Sequence, residues 1–216
     1  MCANFRPALP ERLAPFGFGR PALATGEAYP GRPAPFLCNL EGGIWLEGGF
    51  GLMPHWAKPS LALHTYNARS ETVAEKPSFR NAWRHRQLAI IPMEAFFEPY
   101  YAPGAAKSVR WRIERIDGEP FGVAGLWERR PAPAGGTEWS FTLLTINADG
   151  HPLMQQFHKP GDEKRTIVPL APADWNAWLS AKSDPEIREM LQGFDPGEFR
   201  AMEDPRPAGR AKAQAE

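Results

Sequence analysis

The sequence predicts an α+β fold, a single domain built on a curved, barrel-like sheet, mixed or antiparallel, with short helices at its edges. Three observations lead there. Gly and Pro number 20 and 24 of 216 residues, too much punctuation for a helix bundle and too little for a low-complexity chain. Short runs of alternating apolar and polar residues recur, the clearest being V-R-W-R-I, with Val109, Trp111 and Ile113 on one face. Few segments carry helical spacing.

The first 35 residues are Pro/Gly-rich and hold no long periodic run, as expected of a segment wrapped over a scaffold made later in the chain. Phe36 to Leu40 and Ile44 to Phe50 read as a strand pair around Glu41-Gly42-Gly43. Ser78 caps a predicted helix reaching about Arg86, with Phe79, Ala82 and Trp83 on its apolar side. Leu88 to Pro92, Ala95 to Tyr101, Val109 to Ile113, Phe121 to Trp127, Trp139 to Ile146 and Thr166 to Leu170 follow as strands. Asp174 and Asp184-Pro185 are helix starts, with Gly193 a stop for the second and Trp175, Trp178 and Leu179 a buried stripe for the first. The domain is expected to span 1–204, and residues 205–216, without a large apolar side chain, to form a frayed tail.

Composition narrows the function. Apolar residues make up 43% and aromatics 12%, enough for a core. Lys plus Arg, 25, balance Asp plus Glu, 25, so the chain is not a polycation that coats nucleic acid. No apolar run approaches the roughly 20 residues of a membrane span. The start, Met1-Cys2-Ala3-Asn4, lacks the basic and apolar regions of a secretory signal, and two cysteines are too few for a disulfide framework. A cytoplasmic location is the expectation. Cys38 is expected to be a small buried apolar residue.

Five features bear chemistry. Cys2, once Met1 is removed, is a 1,2-aminothiol, its amine and thiol titrating near ~8 and ~8.5. It suits nucleophilic attack, or capture of an aldehyde as an imine and then a thiazolidine. Chance alone also leaves cysteines at position two. Tyr66-Asn67-Ala68-Arg69-Ser70-Glu71 offers an amide and a guanidinium to a polar ligand, or else is a strand end with Ser70 capping. Glu98 lies inside Ala95-Phe96-Phe97-Glu98-Pro99-Tyr100-Tyr101, as a buried acid/base or the solvent side of an edge strand. His158 is a proton shuttle or an ordinary loop histidine. Lys76, Arg80, Arg84, Arg86 and His85 surround Trp83, with Trp56 upstream, a pattern suited to single strands or to a solvated helix face. Five histidines without HxxxH or HExxH spacing argue against a metal site.

In this order, these segments resemble the SOS response-associated peptidase (SRAP) family of abasic-site DNA–protein crosslinking proteins. The resemblance rests on Met1-Cys2, Gly51-Leu52-Met53-Pro54-His55-Trp56-Ala57-Lys58, Asn67-Ala68-Arg69-Ser70-Glu71, Phe79-Arg80-Asn81-Ala82-Trp83-Arg84, Ile91 to Glu98, Gly125-Leu126-Trp127-Glu128, and Phe157-His158 through Lys164-Arg165. It implies that Cys2 captures the ring-opened aldehyde of an abasic site in single-stranded DNA. By the same resemblance Asn67, Glu98 and His158 are its catalytic partners. Arg69, Arg80, Arg84 and Arg86 then hold phosphates, Trp56 stacks on bases, and Pro30, in Tyr29-Pro30-Gly31, lies beside DNA. It further implies a curved mixed sheet, no cofactor, no metal, a monomer, and self-removal of Met1 as the peptidase activity. The chain departs from the family pattern at Ala3-Asn4 (usually Gly-Arg), Ala95, Pro99 and Thr166-Ile167; the first departure removes an arginine expected on DNA. Two other readings compete: an N-terminal-nucleophile amidohydrolase, which needs oxyanion donors but no base-stacking aromatics, and a non-covalent single-stranded DNA-binding module, which leaves Cys2 unexplained.

The zero net charge conceals a division. Residues 1–112 hold 13 basic and 8 acidic side chains, a net +5, and residues 113–216 the opposite −5. A one-faced binder of a few phosphates fits this division. Binding to single-stranded DNA, followed by fluorescence anisotropy across a salt series, is therefore expected to show a shallow salt dependence; a steep one would reveal a larger basic surface.

Overall fold

In the computed structural model, which describes residues 2–19 and 26–206, the spine of the sheet is one long strand, β5 (Leu88–Tyr100). The strands before it are β1 (Phe5–Pro7), β2 (Pro33–Cys38), β3 (Ile44–Phe50) and β4 (Asn67–Arg69); after it come β6 (Val109–Arg115), β7 (Phe121–Pro131) and β8 (Thr137–Asn147). Short β9 (Arg165–Ile167), β10 (Pro169–Leu170) and β11 (Phe199–Glu203) complete the sheet. The helices are brief: α1 (Pro10–Leu13), α2 (Arg80–Arg84), α3 (Trp175–Ser180) and α4 (Asp184–Glu189).

Five strands close into a barrel. β5 pairs antiparallel with β2 and β7, β7 with β8, and β2 with β3, while β3 and β8 run parallel through Gly49–Phe50 and Ser140–Phe141. Strand alternation sorts side chains between the two faces. Ala89, Ile91, Val123, Phe36, Phe50 and Phe141 fill the interior, with the Phe50 and Phe141 rings stacked at 5.4 Å. Leu88, Ile90, Ala124 and Leu126 point outward and are covered by Trp83 of α2 and Trp175 and Trp178 of α3. All three indoles are tethered: Trp178 Nε1 donates to the Ala89 carbonyl at 2.9 Å, Trp83 Nε1 to Asp184 Oδ2 at 2.9 Å and Trp175 Nε1 to the Leu170 carbonyl at 3.4 Å. The α+β, barrel-like class read from the sequence is the one observed.

Several boundaries differ. Leu88–Pro92 and Ala95–Tyr101 are one strand because β5 changes partners midway. Its first half lies between β2 and β7, its second between β1 and β6. Pro92, which reads as a break because it has no N–H, sits at that exchange. Thr166 to Leu170 is two strands, β9 on β8 and β10 on β7, divided at Val168. Helix α2 is shorter than predicted and carries no side-chain cap from Ser78. Asp174 makes no capping bond, whereas α4 is closed by Ser183, whose Oγ accepts from the Glu186 N–H while Glu186 Oε2 accepts from the Lys182 N–H. That helix ends at Glu189, before Gly193. Most of the expected tail, from residue 207, lies outside the described residues. Among the described residues no helix is long and apolar enough to cross a membrane.

The first residues are held rather than loose. Phe5 is fully buried, its N–H and C=O pair with Ala28, and the Asn4 carbonyl accepts from the Phe97 N–H at 3.0 Å. This segment therefore adds a strand to the second half of β5. Close approach is also required at Gly125, where a Cβ would overlap Ile91 Cδ1 and the Thr142 carbonyl oxygen. Gly125→Ala is expected to cost roughly 1–3 kcal/mol, read as a lower urea midpoint at unchanged m-value.

Candidate active site

Four segments distant in sequence meet at one buried point. The segment leading into β1 brings Cys2, β4 brings Asn67, β5 brings Glu98, and the loop after Phe157 brings His158. Cys2 is 1% exposed, Glu98 2% and His158 6%. The edge-strand alternative for Glu98 is thereby excluded. Asn67 Nδ2 donates to the Cys2 carbonyl at 2.8 Å, and the Cys2 Sγ points at the Asn4 carbonyl at 3.5 Å. His158 Nε2 lies 2.9 Å from Glu98 Oε2. With Glu98 ionised, Nε2 carries the proton and donates, which makes Nδ1 the acceptor. Asn67 Oδ1 and His158 Nδ1 are both buried with no hydrogen-bond partner among the described residues. Unmet polar atoms in such a place suit a polar ligand.

Burial pushes the Cys2 thiol far above the ordinary thiol range, and the nearby Glu98 charge pushes it further. The thiol is thus protonated at neutral pH. A cation beside it, such as a freed α-amine, would meet the Glu98 carboxylate.

His158 is held in an uncommon backbone conformation. Its φ is +65°, the left-handed region, which costs a non-glycine residue about 1 kcal/mol or more. Its N–H donates to the Pro99 carbonyl at 2.9 Å, and Lys164 Nζ donates to the carbonyls of Phe157 at 2.8 Å and Lys159 at 3.1 Å. Lys164 had no catalytic signature in sequence, since one ammonium bridging main-chain carbonyls depends on the loop's path.

Next to this point opens a cleft of about 660 Å³, lined by Tyr66, Pro99, Tyr101 and His158 and by the charged Arg69, Lys159, Asp162, Glu163 and Arg165. Arg69 is not bare: its Nη1 lies 2.7 Å from Glu163 Oε2. Arg165, buried, makes a two-pronged contact with Glu71 at 2.9 Å for each prong and also donates to the Thr145 carbonyl at 2.7 Å.

The remaining expected contacts lie apart from the cleft. Trp56 is 53% exposed on a loop pinned by Met53 N–H to Ser140 Oγ and by Arg130 to the Ala57 carbonyl. Helix α2 and the turn after it reach the same part of the β7–β8 hairpin through Asn81 and Gln87 on Glu128, leaving Arg80 and Arg84 exposed. Arg86 is half-buried, with φ +50° and its carbonyl accepting from Asn39. Pro30 is half-buried beside Gly31, which approaches the exposed Leu63, an apolar neighbour that sequence patterning did not single out. Asn4 faces inward, 6% exposed, its amide donating to the Ala28 carbonyl, so position 4 in this chain is a structural tie. Cys38 is fully buried in the barrel interior. Among the described residues no group of three or more His, Cys, Asp or Glu is arranged to hold a metal ion.

Residues 30–203 match the family model described as SOS response associated peptidase (SRAP). Over 157 residues the chain is 31% identical to the abasic site processing protein YoqW of Bacillus subtilis (strain 168), covering 71% of this chain and 66% of that protein. It is equally similar to YobE of the same organism, another abasic site processing protein, with 31% identity over 71% of this chain and 68% of that one. Among solved structures, a protein from Bordetella bronchiseptica superposes with a TM-score of 0.84 at 32% identity, over 94% of this chain and 99% of the other. One from Bacteroides thetaiotaomicron has the same fold, with a TM-score of 0.78 at 21% identity over 93% and 90%.

The raised thiol gives a direct check. In a Cys38→Ala background, alkylation of Cys2 by iodoacetamide at pH 8 is expected to run at least about tenfold slower than in urea. Glu98→Gln removes one of the two causes, so it should lower the thiol pKa and speed the folded-state reaction; an unchanged rate would leave burial as the sole cause.

Proposed function

Because the chain belongs to the SOS response-associated peptidase family, we propose that it processes abasic sites in single-stranded DNA, capturing them covalently through Cys2. The observation that carries this reading is the placement of a second-position cysteine against an asparagine amide and a buried Glu98–His158 pair, Asn67 at 2.8 Å from the Cys2 carbonyl and His158 at 2.9 Å from Glu98. YoqW and YobE, the relatives named for abasic-site processing, are longer than the matched region, this chain spanning 66% and 68% of them.

The covalent bonds form between Cys2 and the sugar. Hydrolysis of the Met1–Cys2 bond frees the α-amine, and self-cleavage at that bond is the peptidase activity this reading gives the site. The abasic hemiacetal opens as its C1 hydroxyl loses a proton and the ring oxygen gains one, with Glu98 placed to carry that proton. The amine adds to the aldehyde carbon, water leaves, and an imine forms. Sγ then adds to the imine carbon while its proton passes to nitrogen, closing a five-membered thiazolidine. Because burial keeps the thiol protonated, this last step needs a base, and the Glu98–His158 pair is the base at hand. Asn67 fixes the Cys2 carbonyl, so the amine cannot swing from the sugar, and its free Oδ1 accepts from the incoming amine or hydroxyl.

Outside the chemical centre, Arg69 holds a phosphate, and Trp56 and Pro30 meet bases flanking the lesion. Exposed Arg80 and Arg84, with half-buried Arg86, serve a more distant stretch of strand. An amidohydrolase needs none of these outward-facing groups.

Protein of confirmed intact mass lacking Met1, incubated with a single-stranded oligonucleotide carrying one abasic site, is expected to give a heat-stable adduct on a denaturing gel. Cys2→Ala should give none. Glu98→Gln should slow adduct formation by about 10²-fold while leaving strand binding intact. Absence of adduct from the mature wild type would overturn the covalent reading, and collapse of strand binding in Glu98→Gln would make Glu98 structural.

A further inference from the structure

Glu163 occupies an unusual place for an acid. Its two carboxylate oxygens are shared between guanidinium groups from different strands, Oε2 with Arg69 Nη1 at 2.7 Å and Oε1 with Arg165 Nη1 at 2.8 Å. All three side chains line the cleft that holds His158. The two arginines differ in how they are fixed. Arg165 is 3% exposed and is held in place by Glu71 and the Thr145 carbonyl whether or not Glu163 is present. Arg69 is 49% exposed, and Glu163 is the carboxylate paired with it among the described residues. Glu163 itself lies on the exposed stretch between Gly161 and β9, with a side chain 35% exposed, so its carboxylate can leave the two arginines by a side-chain rotation.

We propose that Glu163 is a built-in phosphate mimic, occupying a two-arginine site that accepts a DNA phosphodiester only after the carboxylate has been displaced. A phosphodiester offers the same paired anionic oxygens to the same forked donors. Arg165 keeps its charge compensated by Glu71 when Glu163 leaves, so the exchange strands no buried cation. Arg69, freed from its partner, becomes the mobile half of the clamp. Displacement must be driven by the strand, so an undamaged strand meets a cleft whose best anion site is already filled. A strand that is also captured at Cys2 holds its phosphate there at high effective concentration. Glu163 in this way sets the selectivity between passing strands and damaged ones. The inference rests on the cleft being the path of single-stranded DNA.

The test is binding of an undamaged single-stranded oligonucleotide by mature full-length protein, by fluorescence anisotropy across a salt series. Glu163→Gln is expected to tighten binding roughly 3- to 10-fold. It should also steepen the slope of log K against log salt by about 0.7, one added phosphate contact. Adding Arg69→Ala to Glu163→Gln should cancel the gain. A thermal melt checks folding, and if Glu163→Gln lowers Tm, Glu163→Asp, which shortens the reach to both arginines, should show a smaller gain in the same direction. Binding by Glu163→Gln that is unchanged or weaker, with wild type binding normally, overturns the mimic and makes Glu163 a brace for Arg69. Failure of wild type and variants alike to bind any strand overturns the DNA reading itself, and this proposal with it.

Discussion

The structure depends on immobilising a few residues that in most proteins are left to fray. Cys2 has a fixed position because Phe5 is fully buried and Asn4 closes a main-chain bond with Phe97. Each of these contacts draws on the second half of β5 or on Ala28 beside it. The barrel supplies the rigidity, since β5 is gripped by β2 and β7 before it reaches the site. Burying one phenylalanine side chain contributes about 1.5–3 kcal/mol, which offsets the backbone entropy of one or two residues at about 1–2 kcal/mol each, and the main-chain bonds to Ala28 and Phe97 add to it. A short segment with one deeply buried ring and paired carbonyls can therefore stay in place.

That immobility has an electrostatic counterpart. A thiol, a carboxylate and an imidazole are crowded where water is scarce, so the thiol feels the neighbouring carboxylate strongly. Glu98 and His158 pair with each other, while Cys2 is kept neutral first by burial and then by the Glu98 charge. Proton transfers among groups already in contact avoid the cost of reorganising solvent. The strained backbone at His158 belongs to the same arrangement, because the loop's main-chain bonds to Pro99 and Lys164 hold the ring toward Glu98.

Much of this was legible in the residues. The alternating runs and the wealth of Gly and Pro point to a curved sheet, and the reactive side chains are identifiable by type: an aminothiol precursor, an amide, a carboxylate among rings and a loop histidine. Less legible was anything that depends on path. β1 is three residues with no period to detect, and its pairing with β5 comes from tertiary packing. Pro92 reads as a break because a lone sequence does not show that a strand changes neighbours there. The inward turn of Asn4 is invisible for the same reason, since burial of a polar amide is settled by the Ala28 carbonyl it finds. The Arg69–Glu163–Arg165 group sits close in sequence only in part, and the salt links follow from how β4 and β9 flank β8.

The site is assembled from widely separated stretches, with β1 meeting β5 some ninety residues away, and Asn67 and His158 arriving from two other places. Contacts of such long range close late in folding, after local turns and hairpins have formed. A molecule that has only partly folded therefore carries the cysteine without the machinery around it. The buried meeting of Cys2, Asn67, Glu98 and His158 therefore exists only once the fold is complete, and before that the same thiol stands unshielded. The topology itself thus decides whether the cysteine faces its partners or any reagent in solution.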